Sequence, residues 1–600
     1  MFLRCHERKK DGKLHRYWSI VESRRVSGGR VVQRHVLYLG EINDSQLQAW
    51  RKSIEVFDEE RNENRTLALF PEDRLPEVSD ETVVQIRLKD MVLKHPRQWG
   101  GCWLACQIYA QLGLDGFWRQ RLPLNRKGTR WDLILKTLAV YRLLDPGSEW
   151  RLHRHWFEHS AMGDLLGVDY AVVESHKLYR CLDHLLEHKQ ALFDHLTQTW
   201  RDLFNAKYEV LLYDLTSTYF ESDPPLDEKD KRKFGYSRDK RKDCVQVVIA
   251  LVVTPEGFPL GYEVLPGNTL DKTTLKTMLE KIQTQYGKAE RIWLMDRGIP
   301  TEEVLTQMRQ SDPPISYLVG TPKASLGPLA AALLNLPWQS VRDGVEVKLL
   351  SQEGEVYVLA QSRDRINKER SMRQRQLKKL WKRLKELKKQ KLTRDDLLLK
   401  LGAAKQPSPS AWRLVAIQLP PKSRPKEKIS WNYSLRKDKL RQVRRREGRY
   451  LLRSNLTGKD PVELWNFYML LNRVEETFKN LKGDLAIRPI FHQKEHRIEA
   501  HIFVAFVAYA LHATLQHRLK NLAPGLTPRS VLEKFSAIQM LDVHLPTTDQ
   551  REVILSRYTH PEPELDLLLL QLKLQLPPQP PPHLTASRQL ILPPRVVQTF

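Results

Sequence analysis

The sequence predicts an α/β chain: a mixed sheet flanked by helices, interrupted by a β-rich and helical insertion and preceded by an α+β N-terminal region. Three observations predict it. Residues 208–320 run in the order β-β-β-α-β-α-β, and three strands followed by α/β alternation call for a mixed sheet with helices packed on it. That rhythm stops after Gly320 for about 130 residues of strand-like pieces, loops and one charged helix. Upstream, from Trp99 to Phe204, apolar residues recur at helical spacing, as at Trp131, Leu135, Leu138 and Tyr141.

The elements follow in order. Residues 1–90 read as a small β/α unit, with strands over Tyr17–Ser23 and Arg30–Leu39 around a Ser27-Gly28-Gly29 turn and a helix over residues 44–62. Residues 91–205 are helical, ending in an amphipathic stretch over Leu182–Leu203. Within 206–320 the strands are Glu209–Thr216, Val245–Val253, Phe258–Leu265, Arg291–Met295 and Ile315–Val319, with helices over Asp271–Tyr286 and Thr301–Ser311. The insertion, 321–448, holds strand-like pieces and a charged helix, Arg365–Lys391. Leu377, Leu380, Leu384 and Leu387 of that helix form a stripe short enough for a local helical hairpin. Residues 449–525 return to a strand at Tyr450–Ser454 and two helices, Pro461–Lys482 and Lys494–Asn521, and 526–600 reads as a Pro- and Leu-rich tail.

Composition narrows the function. The 600 residues carry a formal charge of +26, with 15 Trp, 19 Tyr and 17 Phe spread along the chain, which excludes a disordered polyelectrolyte. Five cysteines exclude a disulfide scaffold. The mean hydropathy of −0.50 and the short apolar runs argue against a membrane protein, and a soluble cytoplasmic protein is expected. Such a positive excess favours a polyanionic partner, of which nucleic acid is the commonest. Cys102, Cys106, His153, His155, His184 and His188 lack zinc-site spacing and read as structural.

Two aspartates stand at strand ends: Asp214 after Leu211-Leu212-Tyr213, and Asp296 after Ile292-Trp293-Leu294-Met295. Carboxylates that converge repel unless one takes a proton or a cation joins them. Oxygen ligands of this kind suit Mg²⁺ or Mn²⁺. A third carboxylate comes from the helix Pro461–Lys482, whose expected core stripe is Phe467, Leu471, Val474, Phe478 and Leu481. Glu475 borders that stripe, whereas Glu476 has Asn472, Lys479 and Asn480 as helical neighbours and is expected to face solvent.

With these residues in view, the chain resembles the DDE transposases of bacterial insertion sequences. The matching words are Tyr213-Asp214-Leu215-Thr216-Ser217-Thr218, Leu294-Met295-Asp296-Arg297-Gly298-Ile299 and Val474-Glu475-Glu476-Thr477-Phe478-Lys479-Asn480-Leu481-Lys482. Arg488-Pro489-Ile490-Phe491-His492 and His496 to Ile502 are similar too, and the resemblance covers about residues 208–515. It implies an RNase H-like catalytic domain with Asp214, Asp296 and Glu475 as the metal-binding triad, holding two Mg²⁺ or Mn²⁺ ions. The 179-residue interval from Asp296 to Glu475 implies the subgroup with a β-rich insertion and a Tyr-x₂-Arg-x₃-Glu-x₆-Lys motif. Tyr468, Glu475 and Lys482 match it, and Leu471 stands where the Arg belongs.

The resemblance further implies DNA contacts at Tyr468, Lys482 and Arg297, and a stacking Trp in the insertion, for which Trp431 is favoured over Trp412 and Trp338. Cations interleaved with aromatics in Lys231–Lys242 and Lys422–Arg449 suit phosphate contact with base stacking. The activity implied is cleavage at an element's terminal inverted repeats and joining to target DNA. A homodimer on paired ends is expected, with Leu565–Leu576 and the helix Arg365–Lys391 as candidate contacts. The alternatives are a metal-dependent nuclease of the same fold without strand transfer and a catalytically dead DNA-binding protein.

Overall fold

The computed structural model describes residues 2–10, 13–25, 31–42, 86–124, 128–237, 239, 241–270, 274–286, 291–296, 299–321, 329, 332–333, 336–390, 392–419, 430–548 and 551–584. The turn expected at Ser27 and the helix expected over residues 44–62 lie outside them. The chain divides into two compact units. Unit 1 comprises Met1–His6, Tyr17–Leu270 and Asn472–Phe600, and unit 2 comprises Glu7–Arg16 and Asp271–Leu471.

In chain order the strands are β1 (Phe2–Lys10), β2 (Lys13–Arg25), β3 (Val31–Glu41), β4 (Val92–Gln98), β5 (Val210–Phe220), β6 (Val245–Val253), β7 (Pro259–Pro266), β8 (Ile292–Met295), β9 (Ser316–Thr321), β10 (Gln339–Arg342), β11 (Val345–Gln352), β12 (Glu355–Ser362), β13 (Val415–Gln418), β14 (Asn432–Leu435), β15 (Arg449–Ser454), β16 (Gln539–Pro546), β17 (Glu552–Tyr558) and β18 (His583–Leu584). The helices that matter below are α1 (Gly100–Gln111), α2 (Trp131–Leu144), α3 (Lys189–Phe204), α4 (Leu275–Tyr286), α5 (Glu302–Gln310), α6 (Arg363–Lys388), α7 (Arg394–Lys405), α8 (Pro461–Lys482), α9 (Glu495–Leu522), α10 (Pro528–Phe535) and α11 (Pro563–Gln571). Over β5–β9 the chain order is β-β-β-α-β-α-β, that of the RNase H-like fold the sequence leads one to expect.

In unit 1, β5, β6 and β7 form antiparallel pairs, with Asp214 opposite Leu251 and Leu251 opposite Tyr262. Every residue of β6 is buried, which is why Val247–Val253 reads as an unbroken apolar run and not as an alternating one. The core is built around α9, which packs on α1, α2 and β7. By length and composition α9 is apolar enough to cross a membrane, but 94% of its apolar window is buried inside the protein, as befits a core helix. Phe193 of α3, Tyr262 of β7 and Phe506 of α9 meet with ring centroids 4.9–5.7 Å apart. The Trp200 indole donates to Thr514 Oγ1 at 3.0 Å.

Residues 526–584 are not a tail. A Thr527 capping box with Pro528 in the first turn starts α10. β16 then pairs antiparallel with both β17 and β4, so a strand from residues 92–98 is completed by chain some 440 residues later. Leu565, Leu567, Leu568 and Leu569 of α11 and the following Leu572 are buried within unit 1. Five of the leucines expected to meet a second copy are therefore used in their own fold, while Leu570 remains 46% exposed.

In unit 2 the strands run β10-β11-β12-β15-β9-β8, with β8 parallel to β9 and every other pair antiparallel. β8, β9 and β12 end, and β15 begins, at one edge of this sheet: Gln361 faces Arg449 and Thr321 faces Leu451. Thr301 caps α5, Ser362 caps α6 and Thr393 caps α7. α6 and α7 close the expected helical hairpin. Its core is Leu380, Leu384, Leu387, Leu397 and Leu401, joined by Trp431. That core uses the α6 leucine stripe. α8 crosses from unit 2 to unit 1 after Leu471.

Candidate active site

Asp214 is the half-exposed residue in a strand whose other positions from Leu211 to Thr218 are buried. Burial of the surrounding strand fixes the backbone, and the Leu215 N–H donates to Asp214 Oδ1 at 2.7 Å, restricting the carboxylate's rotation. Glu475 lies on the unit 1 half of α8. Of the expected stripe, Phe478 and Leu481 are buried and Phe467 and Leu471 half-buried, while the side chain of Val474 lies outside the described residues. Leu464 and Trp465, outside the expected stripe, are buried too, as are Thr477 and Asn480, so polar residues line part of this face.

Glu475 and Glu476 are both exposed, so burial does not separate them as the apolar stripe suggested. Hydrogen bonding does. Glu476 Oε1 accepts from Gln516 Nε2 of α9 at 3.2 Å, whereas no hydrogen bond or ion pair holds Glu475 among the described residues. Two residues on, the Thr477 hydroxyl bonds the Tyr509 phenol at 2.8 Å, and that phenol donates to the Gly257 carbonyl between β6 and β7 at 3.0 Å. Through these bonds α8 is held to the hairpin that pairs with the Asp214 strand.

In unit 2, Asp296 is exposed one residue beyond β8, at the sheet edge where β15 begins. The Tyr468 ring of α8 lies tilted against those of Tyr450 (5.5 Å) and Trp465 (5.6 Å). Burial pushes the Tyr468 phenol above its usual value; Arg365 opposes that shift, and Tyr450 and the Asp296 carboxylate reinforce it. The Arg365 guanidinium lies 4.1 Å over the Tyr450 ring, and its Nε donates to Glu369 Oε1 at 3.1 Å. Glu369 Oε2 accepts from the Gly448 N–H at 3.0 Å, tying the arginine's brace to the start of β15. An exposed i,i+4 pair of this kind contributes about 0.3–0.5 kcal/mol, while an arginine side chain carries about 2 kcal/mol of rotamer entropy. Stability alone is a poor reason for so constrained a guanidinium.

Lys482 ends α8 and is paired with Asp239 at 2.9 Å, and Arg488 pairs with the same carboxylate oxygen. Burial works to raise the Asp239 pKa, but Arg488 and Lys482 together outweigh it and hold the carboxyl below its usual value. No local pattern points to this partner, because Asp239 sits in the charged loop 243 residues upstream. Arg297 lies outside the described residues.

Trp431 is 6% exposed and packed in the α6–α7 hairpin core, 5.6 Å from Tyr433. Its ring is used for packing in the hairpin core, which argues against the stacking role expected of it. Trp412 packs on the same cluster. Trp338 is half-buried, with Lys348 Nζ at 4.9 Å and the Arg449 guanidinium at 5.6 Å from its ring. In the loop Lys231–Lys242, Phe234 and Tyr236 are 52% and 82% exposed, a surface on which bases can stack.

The fold also assembles a buried polar group that sequence reading missed. Glu149 Oε1 lies 3.3 Å from His492 Nε2 and 3.7 Å from His501 Nδ1. Arg142 Nη2 stands 3.5 Å from that same His501 nitrogen. Burial works against the Glu149 charge, yet the two imidazoles hold its carboxyl well below the usual range. Burial, aided by Arg142, pushes His501 down to about 4. A Glu/His/His set has donors that suit a metal. The adjacent guanidinium already supplies the countercharge, so the group reads as a buried Arg–Glu pair bridged by imidazoles. His492 and His501 lie nine apart and Glu149 far upstream, a spacing that carries no local signal.

Residues 205–511, just over half the chain, match the family described as the transposase DDE domain, and the chain belongs to the DDE-domain transposases. Residues 3–66 match the N-terminal domain of IS1634 family transposases, which makes it a transposase of bacterial insertion sequences. Membership makes the chain an enzyme, of a class that uses divalent metal. No curated protein matches it in sequence. Among solved structures it is similar to the piggyBac transposase synaptic complex with hairpin DNA, at 8% identity over 76% of this chain and 82% of that one, with a TM-score of 0.34. It is also similar to the Mos1 transposase paired-end complex with left transposon end, at 15% identity over 32% of this chain and 60% of that one, with a TM-score of 0.13.

Proposed function

We propose that the chain cuts DNA at the terminal inverted repeats of its own element and joins the freed ends to target DNA, using Asp214, Asp296 and Glu475 as the ligands of two Mg²⁺ or Mn²⁺ ions. The observation that carries this reading is the position of the three carboxylates within the matched span: on the first strand of the β-β-β-α-β-α-β run, just past its fourth, and on the helix after the insertion. The donor set fits the group. All three offer carboxylate oxygens, which hard divalent cations prefer, and all three are exposed or half-exposed where a phosphodiester can reach them. Bound there, the ions would activate a hydroxyl for in-line attack and stabilise the leaving oxygen.

The chain's own residues do the rest. The buried strand around Asp214 and the Thr477–Tyr509–Gly257 hydrogen bonds hold two of the carboxylates on rigid elements. Cations of the +26 chain take up backbone phosphates, a sequence-independent term that weakens as salt rises. Residues 1–204, above all the helical region 91–205, recognise the element's ends, and a homodimer pairs two ends, working in the bacterial cytoplasm on nucleoid DNA.

The test is cleavage of a duplex carrying the inverted repeats that bracket the gene, with Mg²⁺, Mn²⁺ or a chelator. Metal-dependent 3′-end release followed by joining supports the reading. Cutting without joining favours the nuclease, and binding without cutting favours the inactive binder. Light scattering on the paired-end complex tests the dimer, which a complex joining both ends with one chain per end overturns.

A further inference from the structure

One edge of the unit 2 sheet gathers features that the metal triad does not use. β8 ends there and delivers Asp296; β15 begins there and delivers Tyr450; β12 ends there and runs straight into α6, whose first turn carries Arg365. Arg365 is constrained on two sides, by the Tyr450 ring at 4.1 Å and by Glu369 at 3.1 Å, and its side chain is still 45% exposed. Nε donates to Glu369, and the guanidinium also meets the side chains of Tyr450 and Tyr468. From Tyr468 to Leu471 the facing helix carries no cation, and the next basic residue of that helix's matched motif, Lys482, is paired with Asp239.

We propose that Arg365 grips a backbone phosphate of the DNA strand presented to Asp296, so that the insertion contributes a substrate contact to the cleavage site. The inference rests on the cleavage reading above and adds a residue to it. The physical case is that of a guanidinium held in advance. A planar fork matches a phosphate's two oxygens, and a fork already fixed by an aromatic face and a carboxylate loses little further freedom on binding. Glu369 and Tyr450 set the direction of the fork and touch no DNA; they are positioning residues. Lysine at 365 would keep the charge and lose both the ring stacking and the paired hydrogen bonds.

The experiment uses the full chain and the inverted-repeat duplex under single-turnover conditions with Mg²⁺. Arg365→Ala should cut at least 30-fold more slowly than the native chain, while total end-DNA affinity stays within threefold. Arg365→Lys should recover less than a third of the lost rate. Single methylphosphonates are then placed at each phosphate within three nucleotides of the cut. One of them should slow the native chain at least tenfold and Arg365→Ala less than twofold, because the contact it removes is already gone. Thermal melts of both variants check folding, and Arg365→Lys carries the test should the alanine variant melt early. Cleavage by Arg365→Ala or Arg365→Lys within twofold of native, or losses that multiply at every methylphosphonate, overturns the assignment. A native chain that cuts no end DNA overturns the cleavage reading itself and this inference with it.

Discussion

The Thr477 hydroxyl and the Tyr509 phenol share a 2.8 Å hydrogen bond between α8 and α9, two residues beyond Glu475. Tyr509 in turn donates to Gly257, at the turn that joins the strands pairing outward from Asp214. A carboxylate on an exposed helix face gains a fixed position from a buried bond one half-turn away. Replacing Tyr509 by Phe should therefore slow cleavage at least tenfold while destabilising unit 1 by about 1–3 kcal/mol, since the buried Thr477 hydroxyl and Gly257 carbonyl lose their shared partner. Cleavage rates and denaturant midpoints on the same preparation measure the two effects. A rate loss no larger than the stability loss explains would count against the positioning role.

Asp214→Ala, Asp296→Ala and Glu475→Ala should each reduce metal-dependent cleavage by at least 1,000-fold and leave end-DNA binding within threefold. Glu476→Ala removes one exposed hydrogen bond to Gln516 and should be nearly silent in both assays. Loss of cleavage in Glu476→Ala with activity retained in Glu475→Ala would reverse the assignment of the helix carboxylate.

Asp239 holds Lys482 and Arg488 together. Its depressed carboxyl contributes stability that is fully present above the ordinary carboxylate value of about 3.9 and is lost as pH falls through the lower folded value. Asp239→Asn should cost about 1–2 kcal/mol at pH 7, because two partly accessible cations lose their shared charge. The stability gap between the native chain and this variant should close in acid. Lys482→Met should lower end-DNA affinity at least tenfold relative to Asp239→Asn. Equal affinities would confine Lys482 to the fold.

His501 and His512 are buried as neutral imidazoles, each pushed down to about 4, chiefly by burial. Arg142 deepens the shift at His501, and Asp484 opposes it at His512. Between about pH 6.5 and 4 the unfolded chain binds a proton at each that the folded chain refuses, so stability falls as pH drops through that window, by about 1.4 kcal/mol per pH unit per histidine. His512→Leu should flatten the slope by about one such increment. Urea melts at half-unit pH intervals measure it, and an unchanged slope would exclude His512.

Trp431→Ala should destabilise unit 2 by about 3–5 kcal/mol, the usual result of emptying a buried aromatic site. Trp431→Phe should keep most of the stability and all of the DNA affinity. A fall in affinity for Trp431→Phe at unchanged stability would restore the stacking role that burial argues against.

By itself the sequence marked many of the elements and singled out three carboxylates as candidates. The apolar run Val247–Val253 of β6, the cap at Thr301 and the limits of α8, Pro461–Lys482, are local patterns, written in periods of two and 3.6 and in capping residues, and they are legible without knowing any partner. Asp296 stood out because a charge ends an apolar strand; Asp214, expected at a strand end, lies in the middle of β5. Only the tertiary structure decided what each face meets. Periodicity marks a side of a helix, but not whether Trp431 meets DNA or Leu380, whether Lys482 meets phosphate or Asp239, or that Val92–Gln98 waits for Gln539–Pro546. Nor could it join Arg142 and Glu149 to His492 and His501. Those pairings span tens to hundreds of residues, and they are chosen by burial of charge and apolar surface across the whole fold, a property that no local window contains.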